Sequence, residues 1–421
     1  MLSFAAARLV TSPLISPPWK HALKPWGGVR FPFAENDILC FCVKLYRLAW
    51  LDYLFKGEVK INKLVSVQML RGLAAMAVMF FHFRWNINLV SPNVGDALFG
   101  WGAMGVDLFF IVSGFVLVLS AKNLQPGWPA VVHFIKHRLV RILPVYYFIL
   151  VVSFLLCGAM STFHYEDKVI NLMSALLFHP VLPDHAPFYV NDSGFYGVRW
   201  TLNYELAFYG MMSLCLFSKY RWYLLFTAFC FLQFILPSLS GQQPSLATQG
   251  YQFWSIYLQL LTNPLMVMFI PGVFLGLAYP YLNSIPATLK RLILIAAVGC
   301  SIYFIFVSQR ICHGIDGSGW YLALLLMACV INEDLFKKYT PSFFILTGNA
   351  SFSLYLIHGL MNDGIGSRFA TLGIEDGMPR FIASSVLSIL LAVVSYRYLE
   401  KKLSGSFLKK KNVHAVEDRY A

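Results

Sequence analysis

Of the 421 residues, 58% are hydrophobic and only 13% charged, and mean hydropathy is +0.63, whereas a soluble domain carries roughly 25% charged residues. The net charge of +13 would suit a nucleic-acid partner, but the cations lie between apolar runs rather than on aromatic-rich soluble modules, which argues against that class and for a membrane protein. The eight cysteines offer no zinc spacing and no disulfide framework, and no metal is expected.

In chain order, residues 1–60 come first. They hold Pro17-Pro18, Pro25, Pro32 and scattered cations but no apolar run of spanning length, and Phe4–Thr11 is too short and interrupted for a signal peptide. They read as an N-terminal extension, either cytoplasmic or an over-extended gene start, because the stretch from Ile61 to Met69 looks like a natural beginning. Residues 61–400 read as one membrane domain and 401–421 as a short basic cytoplasmic tail.

Within that domain, apolar stretches near 20 residues predict spans at 64–84, 100–120, 142–159, 199–217, 222–239, 264–282, 291–308, 319–333, 342–360 and 379–399. Tyr251–Thr262 reads as an interfacial helix. Every second loop is basic: Lys122, Lys136, Arg138 and Arg141, then Lys219 and Arg221, Lys290 and Arg291, Lys337 and Lys338, and Lys401, Lys402 and Lys409 to Lys411 in the tail. The opposing loops carry Glu166, Asp167, Asp184, Asp192, Asp316, Glu375 and Asp376. The positive-inside rule then predicts an all-α polytopic membrane protein, a bundle of about ten transmembrane helices with both termini cytoplasmic. It is expected as a multi-pass protein of the plasma (inner) membrane, in contact with lipid.

Two residues of the first span carry the functional signal. Arg71 and His82 lie eleven steps apart, about 1100° of rotation, so they share one helix face about 16 Å apart along the axis. Ionisable side chains in a run this apolar read as functional. The expected topology places His82, Asp107, Asn203, Glu205, Tyr355 and His358 toward the outside, with Ser353 central. Arg138 and Arg141, on a helix start before Pro144, fall at the inner surface. A histidine with a carboxylate suits proton removal from a hydroxyl, and arginines one turn apart suit phosphates. Simpler roles stand beside these. Arg138 and Arg141 could set topology, Asp107 could bond a neighbouring helix, His358 could sit at headgroup level, and Tyr355, Trp101 and Trp200 could form the interfacial belt. Proton-coupled transport would use similar groups.

The strings LRGLAAMAVMFFH (70–82), GVDLFFIVSGFVL (105–117), RLVRILPVYY (138–147), WTLNYELAFY (200–209) and GNASFSLYLIHGL (348–360) resemble, in order, the motifs of the acyltransferase-3 family of integral-membrane O-acyltransferases. The resemblance covers residues 63 to 400. It implies a ten-helix core that moves an acyl group, often acetyl from acetyl-CoA, to hydroxyls of glycans, with acyl-CoA as co-substrate and no bound cofactor. By that resemblance Arg71 and His82 are the catalytic pair and Arg138 and Arg141 concern the acyl donor. The family's carboxylate falls on Glu205, and its Ser-Leu-Tyr-Leu-x-His string gives Tyr355 and His358.

The expected reaction has His82 as general base or as a covalent acyl carrier, oriented by Glu205 or Asp107. Tyr355, His358, Ser353 and Asn203 are acceptor-side candidates. The acceptor would be a glycan or lipid-linked saccharide. Some relatives carry a fused extracytoplasmic domain, so a separate partner there is a further expectation. The family often ends in Glu-x-Pro, whereas Tyr398–Lys402 keeps Glu400 without the proline. The rival expectation is a transporter or exporter of a glycan or acyl intermediate that makes no bond.

Overall fold

The computed structural model describes residues 64–403 except 158, 160, 192–196 and 362–364. The expected extension 1–60, Asp192 and the tail from 404 lie outside the described residues. Among those described, every regular element is helical.

Thirteen helices position the site. They are α1 (Val65–Asn88), α2 (Gly105–Ala121), α3 (Trp128–Cys157), α4 (Glu166–Leu177), α5 (Trp200–Cys215), α6 (Arg221–Leu239) and α7 (Ile256–Leu282). There follow α8 (Ala287–Val307), α9 (Trp320–Ile331), α10 (Glu333–Tyr339), α11 (Ser342–Asn349), α12 (Ser351–Leu360) and α13 (Met378–Lys402). Among the described residues seven helices, the second counted from Val94 through α2 to Ala121, are long and apolar enough to cross a membrane, or nine if two bent pairs each count as one span. One pair joins the α9 segment to α10 at 75°, and the other joins α11 to α12 at 70°. The described residues therefore form the all-helical bundle of a multi-pass membrane protein.

Three expectations change in detail. The stretch expected to span at 199–217 is α5, whose 16 residues rise only about 24 Å, short of a ~30 Å hydrocarbon core. The helix bearing Arg138 and Arg141 starts not near them but at Trp128, and runs through Pro144 for 30 residues. The expected interfacial helix at 251–262 instead begins the span Ile256–Leu282.

The centre of the bundle is α1, packed against α2, α11, α12 and α13. Its sequence is rich in Leu, Ala and Met, with no proline to break the ladder. Its first backbone N–H groups would be orphaned inside the protein. Glu333 solves this, accepting from Val65 N at 2.7 Å, Ser66 N at 3.0 Å and Ser66 Oγ at 2.6 Å. That carboxylate also suits the positive end of the helix dipole. Two of the basic-loop residues hold neighbouring segments in the same way. Arg221 donates to the carbonyls of Ala121 and Leu124, and Arg291 pairs with Asp334 and Asn332.

Small residues let helices approach where lipid supplies no hydrophobic drive. Gly114 of α2 and Gly272 of α7 face each other's backbones. A Cβ on Gly272 would lie 1.8 Å from the Ile111 carbonyl oxygen, and one on Gly114 would lie 2.1 Å from that of Phe269. Both contacts are with backbone, which cannot swing aside. We predict that Gly272→Leu costs about 3 kcal/mol or more, read as loss of monodisperse protein in detergent. A wild-type yield and melting midpoint would contradict this packing.

Candidate active site

A cavity of about 90 Å³ lies between α1, α2, α3, α5 and α12. Its apolar wall includes Phe109, Phe110, Val112, Val116, Leu202 and Phe352. Three guanidinium groups enter it, from Arg71, Arg138 and Arg141, together with one carboxylate, that of Glu205.

Periodicity explains who faces it. On α5, Thr201, Glu205 and Tyr209 are successive i+4 neighbours, and all three line the cavity. On α3, Arg138 and Arg141 are one turn apart. Arg138 donates to Ser120 Oγ at 2.5 Å and lies over the rings of Phe134 and Tyr209. Arg141 forms no hydrogen bond to a described residue, and Arg71 reaches only Gln68 Oε1, at 3.4 Å. Arg71 is within electrostatic reach of Arg141, Glu400, Glu205 and Tyr209. Glu205 accepts from Ser113 Oγ at 3.3 Å and from Tyr209 Oη.

The 70° break before α12 adds a fourth positive element. It turns the N-terminus of α12 to the cavity, where Ser351 and Phe352 form part of the lining. Glu400 fixes that end, accepting from Ser353 N at 3.2 Å and from Ser353 Oγ, which also meets Ser395 Oγ at 2.9 Å. Ser351 Oγ is buried and unpartnered among the described residues. Three arginines, a helix N-terminus and a spare hydroxyl in an apolar frame have the chemistry to receive an anion.

The upper part of α12 continues toward His82. Ser351, Tyr355 and His358 follow at i, i+4 and i+7, one stripe of that helix. Tyr355 lines the cavity, with its hydroxyl 2.7 Å from Thr201 Oγ1 and donating to the Val198 carbonyl at 3.1 Å. The ring of His358 lies 5.4 Å from that of Tyr355 and 4.8 Å from that of His82. His358 is fully buried near the carbonyls of Leu354 and Tyr355, without hydrogen-bond geometry to a described residue. His82 is half-buried. The order is thus arginines, cavity, Tyr355, His358, His82.

The carboxylates do not stand where the sequence suggests. Glu205 belongs to the arginine cluster rather than to His82. Asp107, fully buried, is held by His313 Nδ1 at 2.9 Å and by Ser318 Oγ. It ties the α8–α9 loop to the first turn of α2 and is not part of the cavity wall. Because a carboxylate only accepts, His313 Nδ1 carries the proton. Burial pulls the His313 pKa down, but the charge and hydrogen bond of Asp107 outweigh it and leave the value raised. This contribution to stability is complete below the ordinary value of 6.5 and fades as pH rises through the raised one. We predict a melting midpoint that falls across that range in wild type and loses this component in Asp107→Asn. An identical pH profile in both would contradict it.

Of the acceptor-side candidates, Tyr355 and His358 stand between the cavity and His82. Ser353 is engaged by Glu400 and Ser395. Asn203 is buried with neither amide atom bonded to a described residue, and it is not part of the cavity wall. Sequence reading misses Ser113, Thr201, Tyr209, Ser351 and Glu400 as parts of this site. The i+4 spacing on α5 is the available signal for two of them.

Comparison with known proteins gives the arrangement its chemistry. The acyltransferase-3 family, described as an acyltransferase domain, matches residues 64–397. The chain is 26% identical over 314 residues to "Exopolysaccharide production protein ExoZ" of Rhizobium meliloti (strain 1021), covering 72% of this chain and 89% of that protein. It is 29% identical over 159 residues to "Acyltransferase MdmB" of Streptomyces mycarofaciens, covering 36% of this chain and 38% of that relative. It is 30% identical over 176 residues to "Nodulation protein 10" of Rhizobium leguminosarum bv. viciae, covering 37% of this chain and 45% of that relative. The expectation of transport without bond formation gives way to a transferase. The chain belongs to the acyltransferase-3 family and is a membrane-embedded acyltransferase.

Proposed function

We propose that this enzyme moves an acyl group, acetyl before longer chains, from acyl-CoA at the cytoplasmic face of the inner membrane to a hydroxyl of a cell-surface or exported glycan. The observation that carries the reading is the chamber itself. Its guanidinium groups, one of them without a hydrogen-bond partner among the described residues, suit the phosphates of a CoA-type donor. The name of one relative, for exopolysaccharide production, supports a glycan acceptor.

Taking α5 with the 3₁₀ turn Gly197–Arg199 as one more crossing restores ten spans with both termini inside, and the alternating loop charges support that sense. Arg138 and Arg141 then open toward the cytoplasm and His82 toward the outside. Arg138 and Arg141 bind the donor phosphates, and the thioester arm extends along the α12 stripe. His82 takes the proton of the acceptor hydroxyl as the new C–O bond forms and the C–S bond breaks, or it carries the acyl group covalently in between. Arg71 stabilises negative charge on the donor. Glu205 limits the mutual repulsion of the arginines, and Tyr355 and His358 border the acceptor side. A separate extracytoplasmic partner would present the glycan.

Membranes containing the enzyme, given acetyl-labelled acetyl-CoA, are expected to pass label to surface glycan. Absence of label in glycan, with donor intact, would overturn the reading.

A further inference from the structure

The helix α3 is longer than a membrane crossing requires. Its 30 residues rise about 45 Å, against a hydrocarbon core of ~30 Å. The exposed apolar side chains Phe148, Val151 and Leu155 lie in its second half, while its first half adds to the exposed Trp128 and Val132 the polar His133, Lys136 and His137 just before Arg138 and Arg141. The surplus length therefore extends the arginine end of the helix out of the bilayer.

His133, His137 and Arg141 are successive i+4 neighbours, so each lies about 6 Å along the axis and 40° around from the last. The two imidazole rings are 4.2 Å apart, centre to centre. His133 is exposed, so its ring is open to a ligand, and His137 beside it is partly buried. Lys136 flanks His133 at i+3 and is exposed. The result is a ladder of a cation, two flat rings and a cavity arginine on one side of one helix. Nothing in the transfer reaction described above uses the rings.

We propose that His133 and His137 form a purine subsite, on which the nucleotide end of the acyl donor stacks while Arg138 and Arg141 hold its diphosphate. This rests on the CoA reading of the same site. A donor of that class joins an adenine to a diphosphate across a ribose bearing a further phosphate, a separation that one to two helical turns match. Flat rings offer the base a π-face without demanding a particular hydrogen-bond edge. Lys136 takes the ribose phosphate. Positive charge alone would hold any phosphate; the rings add preference for a nucleotide.

The test compares the binding of CoA with that of 4′-phosphopantetheine, which lacks the nucleotide, by titration calorimetry on the purified full-length enzyme. Neither requires an acceptor. Wild type is expected to prefer CoA by about tenfold or more, and the double variant His133→Ala/His137→Ala to lose about tenfold of affinity for CoA alone. Its binding of 4′-phosphopantetheine should change less than about twofold. A double variant that keeps the wild-type ratio overturns the subsite, and a lipid-headgroup or generic phosphate site would give that outcome, because 4′-phosphopantetheine also lacks two of the phosphates of CoA; a wild type that does not discriminate overturns it as well. Failure of wild type to bind either compound overturns the CoA reading itself. His133 is exposed and His137 is partly buried, so the melting midpoint of the double variant is measured beside that of wild type.

Discussion

Replacing His82 by alanine is expected to lower acyl transfer by about 10²–10⁴-fold, the range that a positioned general base contributes. The enzyme should still fold and still bind donor. His82 sits on α1, the central helix of the bundle, beyond the far end of the arginine cavity and against the ring of His358. The loss should appear in kcat rather than in donor KM, because the nearest arginine of the cavity on the same helix is eleven residues away. Initial rates across donor concentrations check this. A His82→Ala enzyme with wild-type kcat would remove His82 from the chemistry.

The second large effect concerns the donor. Arg138→Ala/Arg141→Ala is expected to raise donor KM by about tenfold to a thousandfold, since a hydrogen bond to a charged group contributes about 1.5–3 kcal/mol. The two residues should not lose equally. Arg138 also bonds Ser120 and lies over Phe134 and Tyr209, so Arg138→Ala alone should lower the melting midpoint as well. Arg141 has no such hydrogen bond among the described residues, so Arg141→Ala should change KM and leave stability near wild type. Equal destabilisation by both, with donor KM unchanged, would make them structural residues.

How much of the fold and site is legible in the amino-acid sequence depends on the kind of signal. Apolar length marks helices well, and the runs at 64–84, 100–120, 222–239, 264–282, 291–308 and 379–399 fall on helices long enough to span. It marks ends and breaks poorly. The run at 342–360 hides a 70° bend after Asn349, because the bend follows from tertiary contact: a Cβ on Gly348 would meet the Gln68 carbonyl oxygen at 1.9 Å. That bend turns the N-terminus of α12 into the cavity, so the hydropathy pattern cannot show the site's fourth positive element.

Arg71, Arg138 and Arg141 are recognisable as a group by motif, and the fold brings them to one cavity. Partner choice is harder. Depth alone puts Asp107 and Glu205 beside His82, yet depth says nothing of rotation about a helix axis. On α2 Val106, Phe109, Phe110, Val112, Ser113 and Val116 line the cavity, whereas Asp107 is not in that wall and is bonded by His313 instead. Those contacts join segments distant in sequence, which no local spacing encodes. Glu400 is the same case: it stands out by lacking the family's terminal proline, but its hold on Ser353 depends on α13 packing beside α12.

If the arginine cavity supplies donor to a reaction completed at His82, the two kinds of variant must respond differently to donor concentration. Transfer rates for wild type, Arg138→Ala/Arg141→Ala and His82→Ala, measured from low to saturating acetyl-CoA, test this most directly. Saturating donor is expected to restore the arginine variant toward the wild-type rate and to leave His82→Ala about 10²–10⁴-fold slower than wild type. Rescue of His82→Ala by donor, or an arginine variant whose rate stays low at every donor concentration despite correct folding, would contradict it.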